Sequence, residues 1–348
     1  MRCALIEYNR YHEETLPTFV RLLNSLGIEP DVYMVRRSRQ RHPFAFTSGL
    51  RFRQRRAEGI DRFLGLPFRL RRYELLIVNS MEPASHVERL AGVRTPLLGV
   101  MHNTELLSGD PAYSAFFASP GRRPVVLGRH IANHLAQGGR PLSWISHVYF
   151  GEPEPRRADG ATTFAVSGNV EFHRRNYDSL LDAAGELAEE AMPIRIRIIG
   201  RSSTRDGRML REAIEHRGLA SIFELSDGEI PHDEFFRLVA GSDFMLPLLD
   251  HSAAVLRPYF ETKLASSVPF AIGLGVPFVI HHDLAGAYSV SECGVGYHDG
   301  GLTAAMRTAI ASSAGDRARW KAGIETARAD LLEASLANLR EAIAAVRA

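Results

Sequence analysis

The chain has 348 residues, of which 45% are hydrophobic and 24% charged, and its net charge is +2. At ~100–200 residues per domain this length predicts two domains with substantial cores. The composition is typical of a globular protein, and no apolar run reaches the ~20 residues that a membrane-spanning helix needs. The two cysteines, Cys3 and Cys293, give neither a disulfide framework nor a zinc pattern. With an N-terminus that lacks a signal-peptide layout, they favour a cytoplasmic protein.

The first half of the sequence alternates apolar strands with helices. A helix is predicted over Glu13–Leu26, because apolar residues recur at helical spacing and Gly27 can end it. The predicted strands are Cys3–Tyr8, Asp31–Val35, Glu74–Asn79, Pro96–Asn103, Pro124–Gly128 and the weaker Ser143–Phe150. Near-continuous apolar strands alternating with helices are typical of parallel sheets that are covered on both faces.

An arginine-rich region, Arg36–Arg72, interrupts this alternation. It holds 12 arginines interleaved with phenylalanines, and only Glu58 and Asp61 oppose them. Such a region can contact phosphates or an anionic membrane surface. The chain has only two lysines, so arginine is its usual cation and a solvated basic face fits the composition equally well. No nucleic-acid-binding module accompanies the region, so nucleic acid is not expected as a partner.

A linker and a second series of strands and helices follow. Residues 151–161, rich in proline, glycine and charge, form the predicted linker. The predicted strands are Thr163–Asn169, Pro193–Gly200, Ile222–Leu225, Asp243–Leu249 and Pro277–His281. The predicted helices are Asn176–Ala191, Asp206–His216, Pro231–Ala240, one beginning near Lys263–Ser266, and one or two within Asp316–Ala348.

The fold class is therefore α/β, with two doubly wound Rossmann-like domains and C-terminal helices. The predicted domains are residues 1–150 and 162–348. In such folds ligands bind at the carboxyl ends of strands, so an interdomain cleft is the expected site.

The loop after the first strand of the second half is suited to an anion. The strand ends at Gly168 and Asn169, and Arg174 and Arg175 precede a helix that starts near Asn176. Cations at a helix N-terminus oppose the macrodipole unless an anion lies between them. We therefore favour a phosphate or diphosphate here over two surface arginines.

Two further loops are weaker candidates. Gly200 and Arg201 end a strand and could line a nucleotide, although a plain turn explains them equally well. Ile230 precedes the helix that opens at Pro231, where backbone groups could contact a base. A helix N-terminus alone accounts for the same residues.

The stretch ETKLASS, Glu261–Ser267, is the fourth candidate. With a helix beginning near Lys263–Ser266, it places Lys263, Ser266 and Ser267 at a positive helix end. Two hydroxyls and one of the two lysines favour an anion site there, whereas serines that only cap the helix are the alternative.

Together these loops resemble the donor-binding domain of GT-B glycosyltransferases that carry a glycine turn followed by Lys-Asn. Arg175-Asn176 stand at the Lys-Asn position, Asn169 replaces the turn arginine, and GVPFVIH (275–281) matches the closing Gly-x-Pro-Val-Val pattern. Counting back places Thr262 and Phe270 where the family has two glutamates. Glu261 is adjacent to the first position and is the candidate catalytic carboxylate. KLASS looks like the variant with a basic residue and serines.

The resemblance implies an acceptor-binding first domain. His102 and Asn103 follow a predicted strand, and His102 could deprotonate an acceptor hydroxyl because its pKa lies near neutrality. A histidine that only caps a loop is the alternative. His12 follows the first strand and is a candidate for contacting the acceptor.

The same resemblance implies that the loop after Asp243–Leu249 approaches the donor sugar. His251 or Arg257 could neutralise charge on the departing nucleoside diphosphate. No Asp-x-Asp motif occurs in the chain, so neither a metal site nor a cofactor is expected.

The expected function is sugar transfer from a nucleoside-diphosphate sugar to a saccharide or lipid-linked acceptor, in surface polysaccharide or glycolipid assembly. The expected location is the cytoplasm, with peripheral contact to the inner face of the membrane through Arg36–Arg72. Two alternatives stay open: a sugar-nucleotide epimerase of the same architecture, and a degenerate transferase that serves as a binding or scaffold subunit.

Overall fold

The computed structural model describes residues 1–9, 11–57, 70–82, 84–139, 141–155 and 160–348. They divide into two compact units. The first unit comprises Met1–Gly151, Thr262–Leu264 and Asp330–Ala348, and the second comprises Glu152–Glu261 and Ala265–Ala329. The second unit therefore lacks two segments that the sequence division at 162–348 assigned to the second domain.

The first unit contains a parallel sheet with, in its described part, seven strands in the order β3-β2-β1-β4-β5-β6-β7. The strands are β1 Cys3–Glu7, β2 Asp31–Met34, β3 Arg53–Arg56, β4 Leu75–Val78, β5 Leu97–Met101, β6 Arg122–Val126 and β7 Ser143–Trp144. The chain winds outward from β1 to β3 and then returns past β1 to β4, so the connections reverse direction between β1 and β4. This is the Rossmann order.

Helices cover both faces of this sheet. They are α1 Leu16–Ser25, α2 Arg36–Gln40, α3 Ala84–Leu90, α4 Leu106–Gly109, α5 Pro111–Ala118 and α6 Arg129–Gln137. Strands β1, β4 and β5 are buried along their whole length, as their unbroken apolar sequences predict. Alternate residues of β1 belong to the two cores, because Ile6 packs with one cluster and Leu5 with the other.

Part of the arginine-rich region forms structure that its composition did not predict. Strand β3 has the sequence RQRR, all four side chains are exposed, and it pairs with β2 at one end of the described sheet. Charged side chains on an edge strand discourage pairing with another chain. Several arginines have local partners: Arg53 lies 3.5 Å from Glu29, and Arg55 lies 3.3 Å from Asp31. Arg62, Phe63, Phe68 and Arg69, with the opposing Glu58 and Asp61, lie outside the described residues.

The second unit repeats the same order. Its sheet runs β10-β9-β8-β11-β12-β13, counted over the described residues, and every pairing is parallel. The strands are β8 Thr162–Ser167, β9 Ile194–Ile199, β10 Phe223–Leu225, β11 Phe244–Met245, β12 Phe278–His281 and β13 Gly294–Tyr297. The reversal here falls between β8 and β11. The α/β prediction of two doubly wound Rossmann-like sheets is confirmed.

The helices of the second unit are α7 Tyr177–Glu189, α8 Arg205–His216, α9 His232–Ala240, α10 Pro258–Glu261, α11 Ser267–Leu274, α12 His282–Tyr288 and α13 Leu302–Ile310. A long helix, α14 Ala314–Arg347, follows, and its residues from Asp330 onward belong to the first unit. In the second unit Trp320 of α14 packs against Phe244 of β11. None of the helices in the described ranges combines the length and apolar character that crossing a bilayer requires.

Two predicted strands are shorter than their apolar runs. The run Ser143–Phe150 pairs only at Ser143–Trp144, and the run Asp243–Leu249 only at Phe244–Met245. In the second run Leu248 has a φ of 56°, a left-handed backbone that lies outside regular strand geometry. Apolar character predicted the burial of these segments correctly, but burial does not require a strand.

Two helical glycines provide a test of how tightly the second unit packs. We expect Gly207→Ala to lower the free energy of unfolding by about 1–3 kcal/mol, because its methyl group would overlap the carbonyl of Ser202. Gly185→Ala should raise it by up to about 1 kcal/mol, because nothing lies within 4 Å of the added carbon and alanine favours a helix. Equilibrium urea unfolding measures both changes. Equal shifts in the two variants would contradict the close contact at Gly207.

Candidate functional site

In the first unit, buried polar groups gather where the connections reverse, at the ends of β1 and β4. Glu7 is the last residue of β1, Asn79 and Ser80 follow β4, and the side chains of all three are fully buried. Asn79 Nδ2 and Ser80 Oγ both donate to Glu7 Oε2, the latter over 2.9 Å. The carboxylate at the centre of this sheet is therefore hydrogen-bonded rather than exposed to water.

Asn79 connects Glu7 to the two predicted histidines. The side-chain Nδ2 of Asn79 also donates to the backbone carbonyl of His12 over 2.9 Å. The backbone carbonyl of Asn79 accepts from Nε2 of His102 over 2.8 Å. The rings of His12 and His102 are stacked, with centroids 3.6 Å apart. The structure thus brings together two residues that are 90 positions apart in the sequence, and Asn79 holds both.

The two histidines have opposite electrostatic surroundings. Burial lowers the pKa of His12, but the carboxylates of Glu14, Glu7 and Glu82 outweigh it and hold that pKa above its ordinary value. Burial and the neighbouring His12 hold the pKa of His102 well below its ordinary value. His102 is therefore neutral near pH 7 and a weak proton acceptor. His12, with a side chain 29% exposed and Nδ1 3.8 Å from Glu14 Oε1, accepts a proton far more readily.

The pKa of Glu7 lies near neutral pH. Burial raises its pKa to about 7, against the lowering effect of His12 and of hydrogen bonds from Asn79, Ser80 and the backbone of Asn9. A carboxyl group with a pKa near the working pH is typical of functional sites, although structural networks produce such shifts too.

Asn103 and Lys263 belong to the same unit. The backbone N–H of Asn103 donates to Glu82, whose carboxylate also acts on His12, so Asn103 borders the histidine pair. Lys263 Nζ lies 3.7 Å from Glu105 Oε1, and its carbonyl lies 3.3 Å from Nε2 of His130. Helix α11 begins only at Ser267, so Lys263 precedes it by four residues. Ser266 and Ser267 do stand at the start of this helix, and the joint role of Lys263, Ser266 and Ser267 in binding an anion stays a prediction.

The reversal in the second unit lies at the ends of β8 and β11. Gly168 follows β8 with a φ of 103°, a conformation that favours glycine. Gly200 follows β9, and a side chain there would overlap the carbonyl of Gly168. The backbone N–H of Val170 donates to the carbonyl of Arg201 over 3.2 Å. The first two candidate loops are therefore in contact. That contact requires a glycine at position 200, and the positive φ favours one at position 168.

Arg175 and Arg174 differ in what they bind. The Arg175 guanidinium lies over Gly168 and donates to the carbonyls of Ser167 and Asn169. Arg174 is exposed, and its Nε lies 2.6 Å from Glu171 Oε2. The anion expected beside Arg174 is thus supplied by the chain itself, whereas Arg175 places its charge at the end of β8.

Asn176 joins this arginine loop to the loop after β11. It caps α7 by accepting from the backbone N–H of Ser179, and its Nδ2 donates to Asp250 Oδ2 over 2.7 Å. Its own backbone N–H donates to the carbonyl of Leu248, the residue with the left-handed backbone. Strained backbone of this kind costs roughly 1–3 kcal/mol and is concentrated at functional sites.

One buried hydroxyl at this reversal lacks a partner within the described part of the chain. Ser167 Oγ, at the last position of β8, is fully buried and accepts or donates no hydrogen bond there. An unsatisfied buried hydroxyl costs about 1–3 kcal/mol, so a bound polar ligand at the strand end would relieve it.

The side chains of the remaining predicted residues do not join this group of contacts. Arg257 and Glu261 pair with each other over 3.0 Å. Asn169 and Arg201 are exposed, and Ile230 is half-buried in the loop before α9. Ser266 makes no side-chain cap for α11, and Ser267 is buried. His251 instead faces Asp283 at 2.8 Å and stacks on Phe260.

Phe270 stands where the resembling family has its second glutamate, and its surroundings are apolar. It is 7% exposed, and its ring lies 4.8 Å from that of Phe235 and 6.3 Å from that of Phe236. This position therefore packs α11 against α9 and offers no carboxylate to a ribose.

Sequence reasoning named Asn176, which connects the second group of contacts, but missed the residues that connect the first. Glu7 and Asn79 sit at the ends of apolar strands, and their polarity at those positions was the available signal. The histidine and aspartate residues at the ends of β12 and β13 were also missed. The stretches LLDHS, VIHHD and YHDG made these residues visible in the sequence, because each places histidine and aspartate at or after the carboxyl end of a strand. The three strands are neighbours in one sheet.

No protein-family model matches the sequence, and no curated protein matches it either. Solved structures do match its fold. The Anabaena protein Alr3699/HepE in complex with UDP and glucose is 12% identical, with 99% of each chain covered and a TM-score of 0.64. A glycosyltransferase from Rickettsia africae is 9% identical over 99% of this chain and 98% of its own, with a TM-score of 0.60.

A UDP-forming α,α-trehalose-phosphate synthase from Burkholderia xenovorans is similar as well. It is 11% identical over 100% of this chain and 99% of its own, with a TM-score of 0.59. At these identities the likeness defines the fold, and the predicted GT-B fold is confirmed.

The pKa of Glu7 leads to a prediction about stability. A carboxyl group whose pKa is about 7 when folded and ~4.3 when unfolded binds its proton more tightly in the folded state. Its stabilising contribution is present at low pH and is lost as the pH rises to about 7. We expect Glu7→Gln to remove this loss, which amounts to at most about 1.4 kcal/mol per pH unit.

Urea unfolding of wild type and variant between about pH 5 and pH 8 measures this difference. Glu88→Gln, at an exposed position of α3, is the matched control and should follow the wild type. If Glu7→Gln also ran parallel to the wild type at every pH, Glu7 would titrate as an ordinary carboxyl group.

Proposed function

We propose that this protein is a glycosyltransferase that moves a sugar from a nucleoside-diphosphate sugar to a saccharide or lipid-linked acceptor. The observation that carries the proposal is a GT-B fold shared over 99% of the chain with a glycosyltransferase from Rickettsia africae and with Alr3699/HepE, which was crystallised with UDP and glucose. The polar groups at the two reversals, one in each unit, support the proposal because ligands of such sheets bind at these points.

The donor diphosphate is assigned to the end of β8. Arg175 carries the positive charge, Gly168 leaves the backbone open to close approach, and α7 begins two residues after Arg175. Binding a diphosphate would turn Arg175 from backbone carbonyls to charged oxygens, which form stronger hydrogen bonds. Ser167 Oγ is a further donor at that point. Roles for Gly200, Arg201 and Ile230 in holding the nucleotide stay predictions.

The acceptor hydroxyl is assigned to His12. Neutral His12 would take the hydroxyl proton on Nε2 as the oxygen attacks the anomeric carbon and the bond to the diphosphate breaks. The resulting imidazolium is favoured by Glu14, Glu7 and Glu82, the same groups that raise the pKa of His12. His102, donating to Asn79, holds the stacked ring in place and is a positioning residue in this scheme rather than the base.

The finer parts of the proposal have less support. Assembly of surface polysaccharide or glycolipid is proposed from the resemblance alone. Peripheral contact with an anionic membrane is supported by the exposed arginines of β3, although the ion pairs of Arg53 and Arg55 fit a solvated face. Transfer without a metal ion on the diphosphate is proposed because the sequence has no Asp-x-Asp motif.

A second candidate function is a binding or scaffold subunit without transferase activity. It is favoured by Phe270, which fills the position of the family's ribose-binding glutamate with an aromatic contact. A sugar-nucleotide epimerase is distinguished by its products, because it converts the nucleotide sugar to an isomer with no acceptor present.

Donor binding is tested first. We expect one of the common nucleoside diphosphates to raise the thermal midpoint, because a ligand that binds only the folded state stabilises it. Arg175→Ala should weaken that nucleotide's affinity at least tenfold. Arg217→Ala removes an exposed arginine at the C-terminal end of α8, paired with Asp182, and should leave affinity unchanged. If no nucleotide stabilises the wild type, the donor site is wrong.

Transfer is tested with the nucleotide sugar that binds, offered saccharide and lipid-linked acceptors, with products identified by mass spectrometry. We expect His12→Ala to lower kcat by about 10²–10⁴-fold, the usual contribution of a general base, while donor affinity is kept. His216→Ala, at an exposed position of α8, is the control. Donor binding without any transfer product would favour the scaffold, and an isomerised nucleotide sugar would favour the epimerase.

A further inference from the structure

Histidine and aspartate residues occur at or after the ends of three neighbouring strands of the second unit. Asp250-His251 follow β11, His281-His282-Asp283 end β12 and begin α12, and His298-Asp299 follow β13. The three strands are adjacent and parallel, and His281 is in register with Tyr297, so these residues meet at one edge of the sheet. Packing alone does not require imidazole and carboxylate at all three ends.

Two histidine–carboxylate contacts lie at this edge. His251 Nε2 is 2.8 Å from Asp283 Oδ2, and His281 Nε2 is 3.2 Å from Asp299 Oδ1. The rings of His251 and His281 are 5.0 Å apart and perpendicular. One ligand atom from each of His251, His281 and Asp283 lies within 4.8 Å of the other two. The three residues therefore come within a small adjustment of a common point.

We propose that His251, His281 and Asp283 bind a divalent transition-metal ion of the zinc class. Two imidazoles and a carboxylate suit zinc and its neighbours, whereas magnesium and calcium take oxygen ligands. Three protein ligands leave a fourth position, near Asp299, for that carboxylate or for water. This inference goes beyond the proposed sugar transfer, because it concerns ligand atoms outside the donor site at β8.

Binding requires only local movement. Zinc at ~2.1 Å from each ligand needs ligand atoms roughly 3.4 Å apart. His281 is 2% exposed and fixed by its surroundings, whereas the side chains of His251 and Asp283 are 39% and 65% exposed and free to close in.

The metal ion would take the place of the proton that His251 now shares with Asp283. If His281 binds through Nε2, its proton moves to Nδ1. The 3.3 Å hydrogen bond from the backbone N–H of Asp283 to Nδ1 of His281 is then lost.

The consequence of such a site is to tie the β11 loop to the start of α12. His251 is adjacent to Asp250, which accepts the hydrogen bond from Asn176 beside the arginine loop. A metal ion on His251 would therefore hold the loop that meets the donor site without contacting the diphosphate. His251 is then a metal ligand rather than the residue that neutralises the leaving group.

The experiment is a zinc titration of the untagged, chelator-treated full chain, without nucleotide, followed by competition with a chromophoric chelator. We expect one equivalent to bind and affinity to fall at least tenfold in each of His251→Ala and Asp283→Asn. Both positions are exposed, so these variants should fold even if His281→Ala does not. His216→Ala is the matched control and should bind zinc as the wild type does.

Cobalt(II) in place of zinc gives a spectroscopic readout, since nitrogen and oxygen ligands in a four-coordinate site produce visible absorption that the two variants should lose. The proposal is overturned if no saturable equivalent binds, or if His251→Ala and Asp283→Asn keep wild-type affinity. Because nucleotide is absent, the result is independent of whether the protein proves to transfer sugars.

Discussion

The constraint on which the rest of the structure depends is the reversal of chain direction inside each parallel sheet. In both units the chain adds strands on one side of the first strand and then returns to add strands on the other side. The connections that leave the two central strands therefore run in opposite directions. Backbone and side-chain polar groups at that point cannot be covered by crossing connections. They must be satisfied by one another or by a ligand, because burial without a partner is costly.

The two units meet this constraint with different chemistry. At the first reversal the chain places a buried carboxylate and an amide, Glu7 and Asn79, that hold a pair of stacked histidines. At the second it places glycines and an arginine, Gly168 and Arg175, with an unsatisfied hydroxyl beside them. The first arrangement suits the transfer of protons, and the second suits an anion. One topology thus supports two kinds of site, and the residues at the strand ends decide which.

Much of the fold could be predicted because its signals are local. Unbroken apolar runs such as LLIV, and helical spacing such as that of α7, indicate burial from a few neighbouring residues. The predicted bounds of these strands and helices therefore lie close to the observed ones. Prediction failed where tertiary contacts set the ends of elements. Leu248 is as apolar as a strand residue, yet its left-handed backbone serves the contact with Asn176, which no local pattern indicates.

The sequence by itself determined the alternation of strands and helices, and with it the α/β class and the loops in which ligand-binding residues could occur. It also determined His12, His102 and Arg175 as candidates, since their residue types stand out after apolar strands. Only the tertiary structure decided which of them meet and in what charge state. Asn79 joins histidines that are far apart in the chain, and burial raises the pKa of Glu7 to about 7. Both depend on distances through space, which the order of residues does not contain.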